Sequence, residues 1–239
     1  MILYAYIPPV TFSIRKHVLP PRAFLPTKLR QAAESHADSY SVGQRALLKI
    51  ARPILTRLST PILRALTAWH VAPNLLSLLQ IPLGIAMILL IDTSRIAVLI
   101  LILCCFLLDM LDGLLARYTG RTSPHGALID QMADQIREVL TVAALVQSGA
   151  LPGIIGTLYG VLYPLSNVGL YLVNQRGGAV SPTFKSVLTF YPFLAIYLLG
   201  GSNWLIAGGW LTIVAMGLTV AQCAWALEPL MAESNGAAS

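Results

Sequence analysis

Between residues 109 and 134 the sequence places four aspartates, two glycines, an alanine and an arginine at fixed intervals in otherwise apolar surroundings. They form the pattern D-x-x-D-G-x-x-A-R-x8-G-x3-D-x3-D. Its members are Asp109, Asp112, Gly113, Ala116, Arg117, Gly126, Asp130 and Asp134. Carboxylate oxygens are the ligands that hard divalent cations prefer. The pattern therefore predicts a metal-dependent active site, and the apolar sequence around it predicts that this site lies in a membrane.

Helical spacing places these residues on two facing helices. The first five share one face of an α-helix, and the last three, which are spaced by four, share a face of the next. If the two helices are antiparallel, Asp109 lies level with Asp134, and Asp112 lies level with Asp130. Four carboxylates so close together cannot all stay ionised alone in a low-dielectric setting. Bound divalent cations would remove that conflict.

The chemistry of such cations predicts a substrate that carries phosphate. Mg²⁺ takes one or two carboxylates and completes its shell with water and substrate phosphate oxygens. Two ions between four aspartates would polarise a diphosphate during a phosphoryl displacement. Gly113 and Ala116 leave one helix face without bulk, so a nucleotide could approach the backbone closely. Arg117 follows on that face and is able to meet phosphate.

Two other classes of protein also use buried aspartates on membrane helices. Proton relays and ion pathways of transporters contain them, and small residues on such helices commonly mark helix packing. A transporter would more typically show internal repeats with matching span breaks, and the sequence shows neither. A non-catalytic scaffold would tolerate loss of motif carboxylates, and all four are present. The sequence favours an enzyme, with an ion- or proton-coupled transporter as the alternative.

The helices that carry this site belong to a chain with a strongly apolar composition. It is 56% hydrophobic and 11% charged, with a mean hydropathy of +0.72, whereas soluble domains are roughly 25% charged. This composition predicts an all-α integral membrane protein with six transmembrane helices. The predicted spans are Pro73 to Ile91, Ile96 to Arg117, Gly126 to Val146, Leu151 to Val173, Phe184 to Leu199 and Trp204 to Leu227.

Basic residues predict the orientation of these spans, because lysine and arginine are enriched on the cytoplasmic side. Ten of the 16 precede the first span: Arg15, Lys16, Arg22, Lys28, Arg30, Arg45, Lys49, Arg52, Arg57 and Arg64. Arg117 and Arg121 flank the second turn, and Arg176 and Lys185 the fourth, whereas the other side shows only Arg95. Both termini and the aspartates are therefore predicted to face the cytoplasm. The three scattered cysteines are compatible with a prokaryotic inner membrane.

Residues 1–72 are predicted to form a separate N-terminal segment, followed by a six-span domain at 73–230 and a tail at 231–239. From Arg45 to Trp69 apolar residues recur at helical spacing opposite basic ones. One interpretation is an interfacial helix whose basic face is attracted to anionic membrane lipids. The other is a helix packed on the spans with a solvated charged face. Membrane surface and anionic substrates account for the net charge of +6, so no nucleic-acid partner is predicted.

The aspartate motif resembles the signature of the CDP-alcohol phosphotransferase family. Members transfer a substituted phosphate from a CDP-linked donor, usually CDP-diacylglycerol, to an acceptor hydroxyl and release CMP. The resemblance implies two Mg²⁺ ions, with Mn²⁺ as an alternative, and a homodimer. It implies that Asp109, Asp112 and Asp130 are metal ligands. It also implies that Asp134 is the general base and a ligand of the second ion.

The resemblance also implies a set of contacts with the cytidine diphosphate part of the donor. These residues are Gly113, Ala116, Arg117 and Gly126. A looser similarity extends to Pro73, Asn74 and Ser77, which are similar to the P-N-x-x-T start of the family's first span. Serine replaces threonine there and keeps the hydroxyl, so Asn74 and Ser77 are included among the donor contacts.

The acceptor is less well specified than the donor. Members with phosphorylated acceptors commonly have lysine or arginine directly after the last motif aspartate, whereas this chain has Gln135. Arg121, Arg137, Arg176 and Lys185 are candidates for an anion pocket on the cytoplasmic side. The alternatives are positive-inside topology for three of them and, for Arg137, a pair with a neighbouring carboxylate. Glycerol 3-phosphate, inositol phosphate, inositol and serine all stay open as acceptors.

Overall fold

The computed structural model describes residues 42–176, 178, 180, 183 and 186–236, and side chains within 54–228. Every regular element in this part of the chain is a helix, as the sequence predicts. The helices are α1 (Val42–Ala68), α2 (Pro73–Leu90), α3 (Arg95–Tyr118), α4 (Pro124–Gln147), α5 (Gly153–Gln175), α6 (Ser186–Thr189), α7 (Tyr191–Leu198) and α8 (Leu205–Gly236). The predictions for residues 1–41, for the side chains of Arg45, Lys49 and Arg52, for Lys185 and for residues 237–239 fall outside the described residues and side chains, whereas α8 continues to Gly236, within the predicted tail.

Four described helices are long and apolar enough to cross a membrane, and these are α2, α3, α5 and the Leu205–Glu228 part of α8. The six-span count is therefore not confirmed. Helix α4 has the necessary length of 24 residues, but the ionisable side chains that it presents lower its hydropathy. The predicted fifth span contains α6 and α7, which are 4 and 8 residues long and are separated at Phe190.

Serine residues begin the two helices that carry the aspartate motif. Ser94 accepts a hydrogen bond from the backbone N–H of Ala97 at the start of α3, and Ser123 accepts one from Gly126 at the start of α4. Such caps satisfy donors that the first helical turn leaves unpaired. Between the helices, Gly120 adopts a φ of +67° in the turn that ends α3. Local sequence thus fixes where the motif helices stop and start.

Helix α2 lies between the two motif helices. It packs extensively against both α3 and α4, whereas α3 and α4 make few contacts with each other. Gly84 allows this approach, because a Cβ at that position would lie 2.8 Å from Cδ1 of Leu140 on α4. On the other side of α4, helix α5 packs against both α4 and α8. The largest apolar core joins these helices around Tyr159, Phe190 and Leu194.

Helix α1 packs against α3. Leu63 is fully buried in a cluster with Leu76, Leu111, Leu114 and Leu115, while the side chains of Arg57 and Arg64 are exposed. This is the arrangement of a helix packed on the spans, and an exposed basic face is also what a lipid surface would contact. The interfacial position of α1 stays a prediction.

Candidate active site

Three of the four motif aspartates converge where α3 faces α4. Asp109, Asp112 and Asp130 each present one carboxylate oxygen, and these oxygens lie within 4.8 Å of one another. Two ligands of one Mg²⁺ at about 2.1 Å are at most about 4.2 Å apart. Small side-chain rotations would therefore bring all three onto one cation. The residues fit a hard divalent cation both in ligand type and in spacing.

Helix α2 contributes a hydroxyl to this cluster. The Ser77 side chain donates a hydrogen bond of 2.6 Å to Oδ2 of Asp112, and both residues are buried. The sequence predicts that Ser77 contacts the CDP-linked substrate. In the structure its hydroxyl contacts the motif residue Asp112. Asn74, one turn earlier, has its Oδ1 3.2 Å from the position that a Cβ on Gly126 would occupy. The start of α2 thus faces the start of α4.

Gly113 and Arg117 are neighbours along α3. A Cβ on Gly113 would lie 3.3 Å from both terminal nitrogens of the Arg117 guanidinium. The space left by the glycine is therefore filled from one side by the arginine side chain. Arg117 is exposed and Ala116 is partly buried. Contact of these residues with the cytidine diphosphate part of the substrate stays a prediction.

Asp134 lies outside the group formed by the other three aspartates. Its Oδ1 accepts a hydrogen bond from Nη2 of Arg137, and its Oδ2 accepts one from the hydroxyl of Tyr163 at 3.1 Å. The side chain of Asp134 is 31% exposed, whereas that of Arg137 is 3% exposed. Asp134 therefore joins a buried polar cluster to the more open part of the site.

That polar cluster is centred on Arg137 and Glu138. Nη1 of Arg137 donates to the hydroxyl of Tyr191 at 2.8 Å and lies 3.4 Å from Oε2 of Glu138. Tyr191 in turn donates to Oε2 of Glu138 at 2.7 Å, and Tyr159 donates to Oε1 at 2.5 Å. The charged pair is buried, and Nε of Arg137 has no hydrogen-bond partner among the described residues. Arg137 adopts the predicted alternative, a pair with neighbouring carboxylates, and not an exposed anion pocket.

The other predicted acceptor contacts lie in different surroundings. Arg121 is exposed and lines a cavity of about 320 Å³ beside His70 and Tyr118. Arg176 is exposed directly after α5, and its backbone N–H donates to carbonyl groups of the last helical turn. Lys185 lies outside the described residues. Within the described residues, Arg121 and Arg176 thus keep a position from which a soluble ligand is reachable.

Sequence reasoning missed the tyrosines and one buried amide. Tyr159 and Tyr163 are spaced by four on α5, so their shared helix face was a readable signal, whereas Tyr191 comes from α7. Gln80 follows Ser77 by one turn on α2 and is fully buried. Neither amide atom of Gln80 has a hydrogen-bond partner among the described residues. Such a group calls for a water molecule or a ligand atom.

Comparison with known proteins gives three similarities. The family profile named CDP-alcohol phosphatidyltransferase matches residues 70–221. A stretch of 62 residues is 44% identical to archaetidylinositol phosphate synthase of Aeropyrum pernix and covers 26% of this chain and 32% of that protein. This match thus spans about a third of the relative's length.

The third similarity is to a solved structure. The fold resembles the crystal structure of Mycobacterium tuberculosis phosphatidylinositol phosphate synthase with CDP-DAG bound, with a TM-score of 0.58 and 23% sequence identity. The alignment covers 73% of this chain and 94% of that chain. At this identity the likeness concerns the fold. The matched profile includes all eight motif residues, since they lie between positions 109 and 134.

Proposed function

This chain belongs to the CDP-alcohol phosphatidyltransferase family, and we propose that it is a membrane enzyme of phospholipid synthesis. It transfers a phosphatidyl or similar substituted phosphate group from CDP-diacylglycerol, or a related CDP-alcohol, to a small polar alcohol and releases CMP. The observation that carries this proposal is the convergence of Asp109, Asp112 and Asp130 within the matched region. An ion- or proton-coupled transporter is not favoured, because the family is one of transferases.

The reaction is a direct displacement at phosphorus. Asp134 accepts the proton of the acceptor hydroxyl while the hydroxyl oxygen bonds to the β-phosphorus of the donor. The bond from that phosphorus to the oxygen of the departing CMP breaks at the same time. Asp109, Asp112 and Asp130 hold the divalent cations, with Asp134 as a further ligand. When bound, two Mg²⁺ or Mn²⁺ ions would stabilise the negative charge that develops on the diphosphate.

The donor is held between the start of α2 and the motif helices. We assign its cytidine diphosphate part to Gly113, Ala116, Arg117, Gly126, Asn74 and Ser77. Arg117 is exposed on a flexible side chain, so its guanidinium is able to turn from Gly113 toward a phosphate and bind it with two parallel hydrogen bonds. The acyl chains of the donor remain in the bilayer beside the exposed apolar side chains of the spans.

The acceptor is a small polar alcohol, and inositol phosphate is the first one to test. The two relatives are named archaetidylinositol phosphate synthase and phosphatidylinositol phosphate synthase, and both names contain inositol phosphate. Arg176 is the described basic residue that we assign to an acceptor phosphate, with Arg121 and Lys185 as further candidates. Arg137 is not among them, because its guanidinium is enclosed. Glycerol 3-phosphate, inositol and serine are the alternatives.

The surroundings of the site are part of the proposal. Helix α4 and the pair α6 and α7 complete six spans, because α4 is long enough to cross and its charged side chains point into the protein at Arg137 and Glu138. The site and both termini face the cytoplasm of a prokaryotic inner membrane, and α1 lies along that leaflet. The domain extends over residues 73–230, and the enzyme is a homodimer.

The test is CMP release from CDP-diacylglycerol in liposomes, with and without Mg²⁺, across the four acceptors. We expect Mg²⁺-dependent release with one acceptor and a fall of about 100- to 10,000-fold for Asp134→Asn. Asp92→Asn is the matched control, since Asp92 is exposed in the turn after α2. An unchanged rate for Asp134→Asn would refute the assigned base, and metal-independent solute uptake would favour a transporter.

A further inference from the structure

Asp134 is the motif aspartate whose two oxygens are engaged by different elements. Arg137, one helical turn further along α4, donates to Oδ1, and Tyr163 on α5 donates to Oδ2. A carboxylate has about four lone-pair positions. Each oxygen therefore keeps a position that is able to accept a proton or to bind a cation. The two donors restrict rotation of the carboxylate without occupying it fully.

The charge of Arg137 does not require Asp134. Glu138 is 1% exposed and lies 3.4 Å from Nη1 of Arg137. Tyr159 and Tyr191 donate hydrogen bonds to its two oxygens. Glu138 thus supplies the counter-charge that a buried guanidinium needs. The hydrogen bond from Nη2 to Asp134 is therefore not needed to neutralise Arg137, and it is able to orient Asp134.

The side chains of Arg137 and Tyr163, which donate these hydrogen bonds, are held in place by aromatic packing. The guanidinium of Arg137 lies 5.2 Å from the ring centroid of Phe106. The ring of Tyr163 stacks on Tyr159, with centroids 6.0 Å apart and planes at 15°. Planar groups packed in this way have few alternative rotamers. The direction of both hydrogen bonds to Asp134 is therefore set by the core of the protein.

We propose that Arg137 and Tyr163 are positioning residues that hold the Asp134 carboxylate from two sides, with Glu138 as the counter-charge of Arg137. This inference rests on the proposed function, in which Asp134 receives the proton of the acceptor. A base acts only when its oxygen lies within hydrogen-bond reach of that proton. Misplacement by about 1 Å costs on the order of 100-fold in rate. The two hydrogen bonds from Arg137 and Tyr163 to Asp134, which we call the clamp, therefore affect kcat and not the affinity for the CDP-linked substrate.

The first test compares two tyrosine-to-phenylalanine variants on α5. Tyr163→Phe removes the hydroxyl that reaches Asp134, and Tyr171→Phe is the control, since Tyr171 lies two turns further along and outside the cluster. We expect kcat for CMP release to fall about 10- to 100-fold in Tyr163→Phe, with the donor KM unchanged. Tyr171→Phe keeps the wild-type values. A wild-type kcat in Tyr163→Phe would overturn the proposal.

The second test separates positioning from charge balance. Arg137→Ala alone leaves Glu138 buried without its counter-charge, so the variant to use is Arg137→Ala combined with Glu138→Gln. We expect a folded protein whose kcat is lowered about 10- to 100-fold and partly restored by added guanidinium. If kcat equals that of Glu138→Gln alone, Arg137 serves only to balance Glu138 and the clamp is refuted.

The third test does not need turnover. The infrared band of the Asp134 carboxylate is isolated by subtracting the spectrum of Asp134→Asn from that of the parent protein. Tyr163→Phe should shift this band, because a hydrogen bond to Oδ2 is lost, and Tyr171→Phe should not. An unshifted band refutes the clamp even in an active enzyme. Conversely, if the wild-type protein releases no CMP but the band still shifts in Tyr163→Phe, the clamp is supported and the proposed function is refuted.

Discussion

The two halves of the motif differ in how their carboxylates are surrounded. Asp109, Asp112 and Asp130 face one another, and Ser77 adds a neutral hydroxyl. Asp134 and Glu138 instead both face the buried guanidinium of Arg137, which donates directly to Asp134 and lies 3.4 Å from Glu138. We propose that bound divalent cations neutralise the first group. In the second group the guanidinium of the chain offsets one of the two carboxylates, so we assign the first group to cation binding and the second to the orientation of Asp134.

The strongest test of the first group is Asp112→Asn. A divalent cation contributes several kcal/mol to phosphoryl transfer, and a loss of about 4 kcal/mol corresponds to roughly a 1,000-fold lower rate. We expect a loss of at least this size in CMP release. We also expect that Mg²⁺, which stabilises a protein by about 2.7 kcal/mol at 100 times its Kd, no longer raises the Tm. If Mg²⁺ still raises the Tm as in the wild type, the cation is held elsewhere.

The second group is tested by removing its internal counter-charge. Glu138→Leu leaves Arg137 buried with Asp134 as its remaining carboxylate. Breaking a buried pair costs about 3–5 kcal/mol, and we expect the lower end because Asp134 stays. Chemical denaturation in detergent measures this, with Glu228→Leu as the control, since Glu228 is exposed. Equal stability of the two variants would show that Glu138 does not stabilise the buried charge of Arg137.

A smaller effect is expected where a neutral side chain supports the first group. Ser77→Ala removes a hydrogen bond to the Asp112 carboxylate, and bonds to charged groups contribute about 1.5–3 kcal/mol. We expect activity to fall roughly 10-fold, with a higher Mg²⁺ requirement. Ser77→Thr keeps the hydroxyl and should keep the activity. If both variants behave alike, the hydroxyl does not orient Asp112.

The smallest effect is expected at Gln80. A buried amide without a partner is costly, and an apolar residue of similar shape is nearly neutral or stabilising. We expect Gln80→Leu to raise the free energy of unfolding by about 1 kcal/mol in chemical denaturation, because the fully buried amide has no hydrogen-bond partner among the described residues. Reduced stability would instead mean that the amide already has a bound partner in the folded protein.

Helical periodicity predicts the first group well and the second group poorly. The spacing of Asp109, Asp112 and Asp130 brings them together because residues three and four apart share a face. Arg137 is on the same helix as Asp134 and Glu138, but their tyrosine partners come from other helices, and Tyr191 is 53 residues away in sequence from Glu138. No local pattern encodes such a distance. For Arg137 the sequence leaves an anion pocket and a pair with a neighbouring carboxylate open, and the structure shows the pair.

Hydropathy likewise predicts some spans and misses others. The strongly apolar helices α2, α3, α5 and α8 were recognisable from composition. The segment of helix α4 was predicted as the least hydrophobic of the six spans, because it carries Asp130, Asp134, Arg137 and Glu138, and it is not among the four helices apolar enough to cross. Where the sequence suggested one span from Phe184 to Leu199, the structure has two short helices. Pro192 lies at the start of the second one, where proline is tolerated.

The position of α2 between α3 and α4 has a consequence for how the site keeps its dimensions. Because α3 and α4 make few contacts with each other and both pack against α2, the position of α2 sets the distance between Asp112 and Asp130. A bulky residue at Gly84, against Leu140, would push α4 away from α2 and widen this distance, although Gly84 lies about two helical turns from Ser77. Cation selectivity would then change although no ligand had been altered.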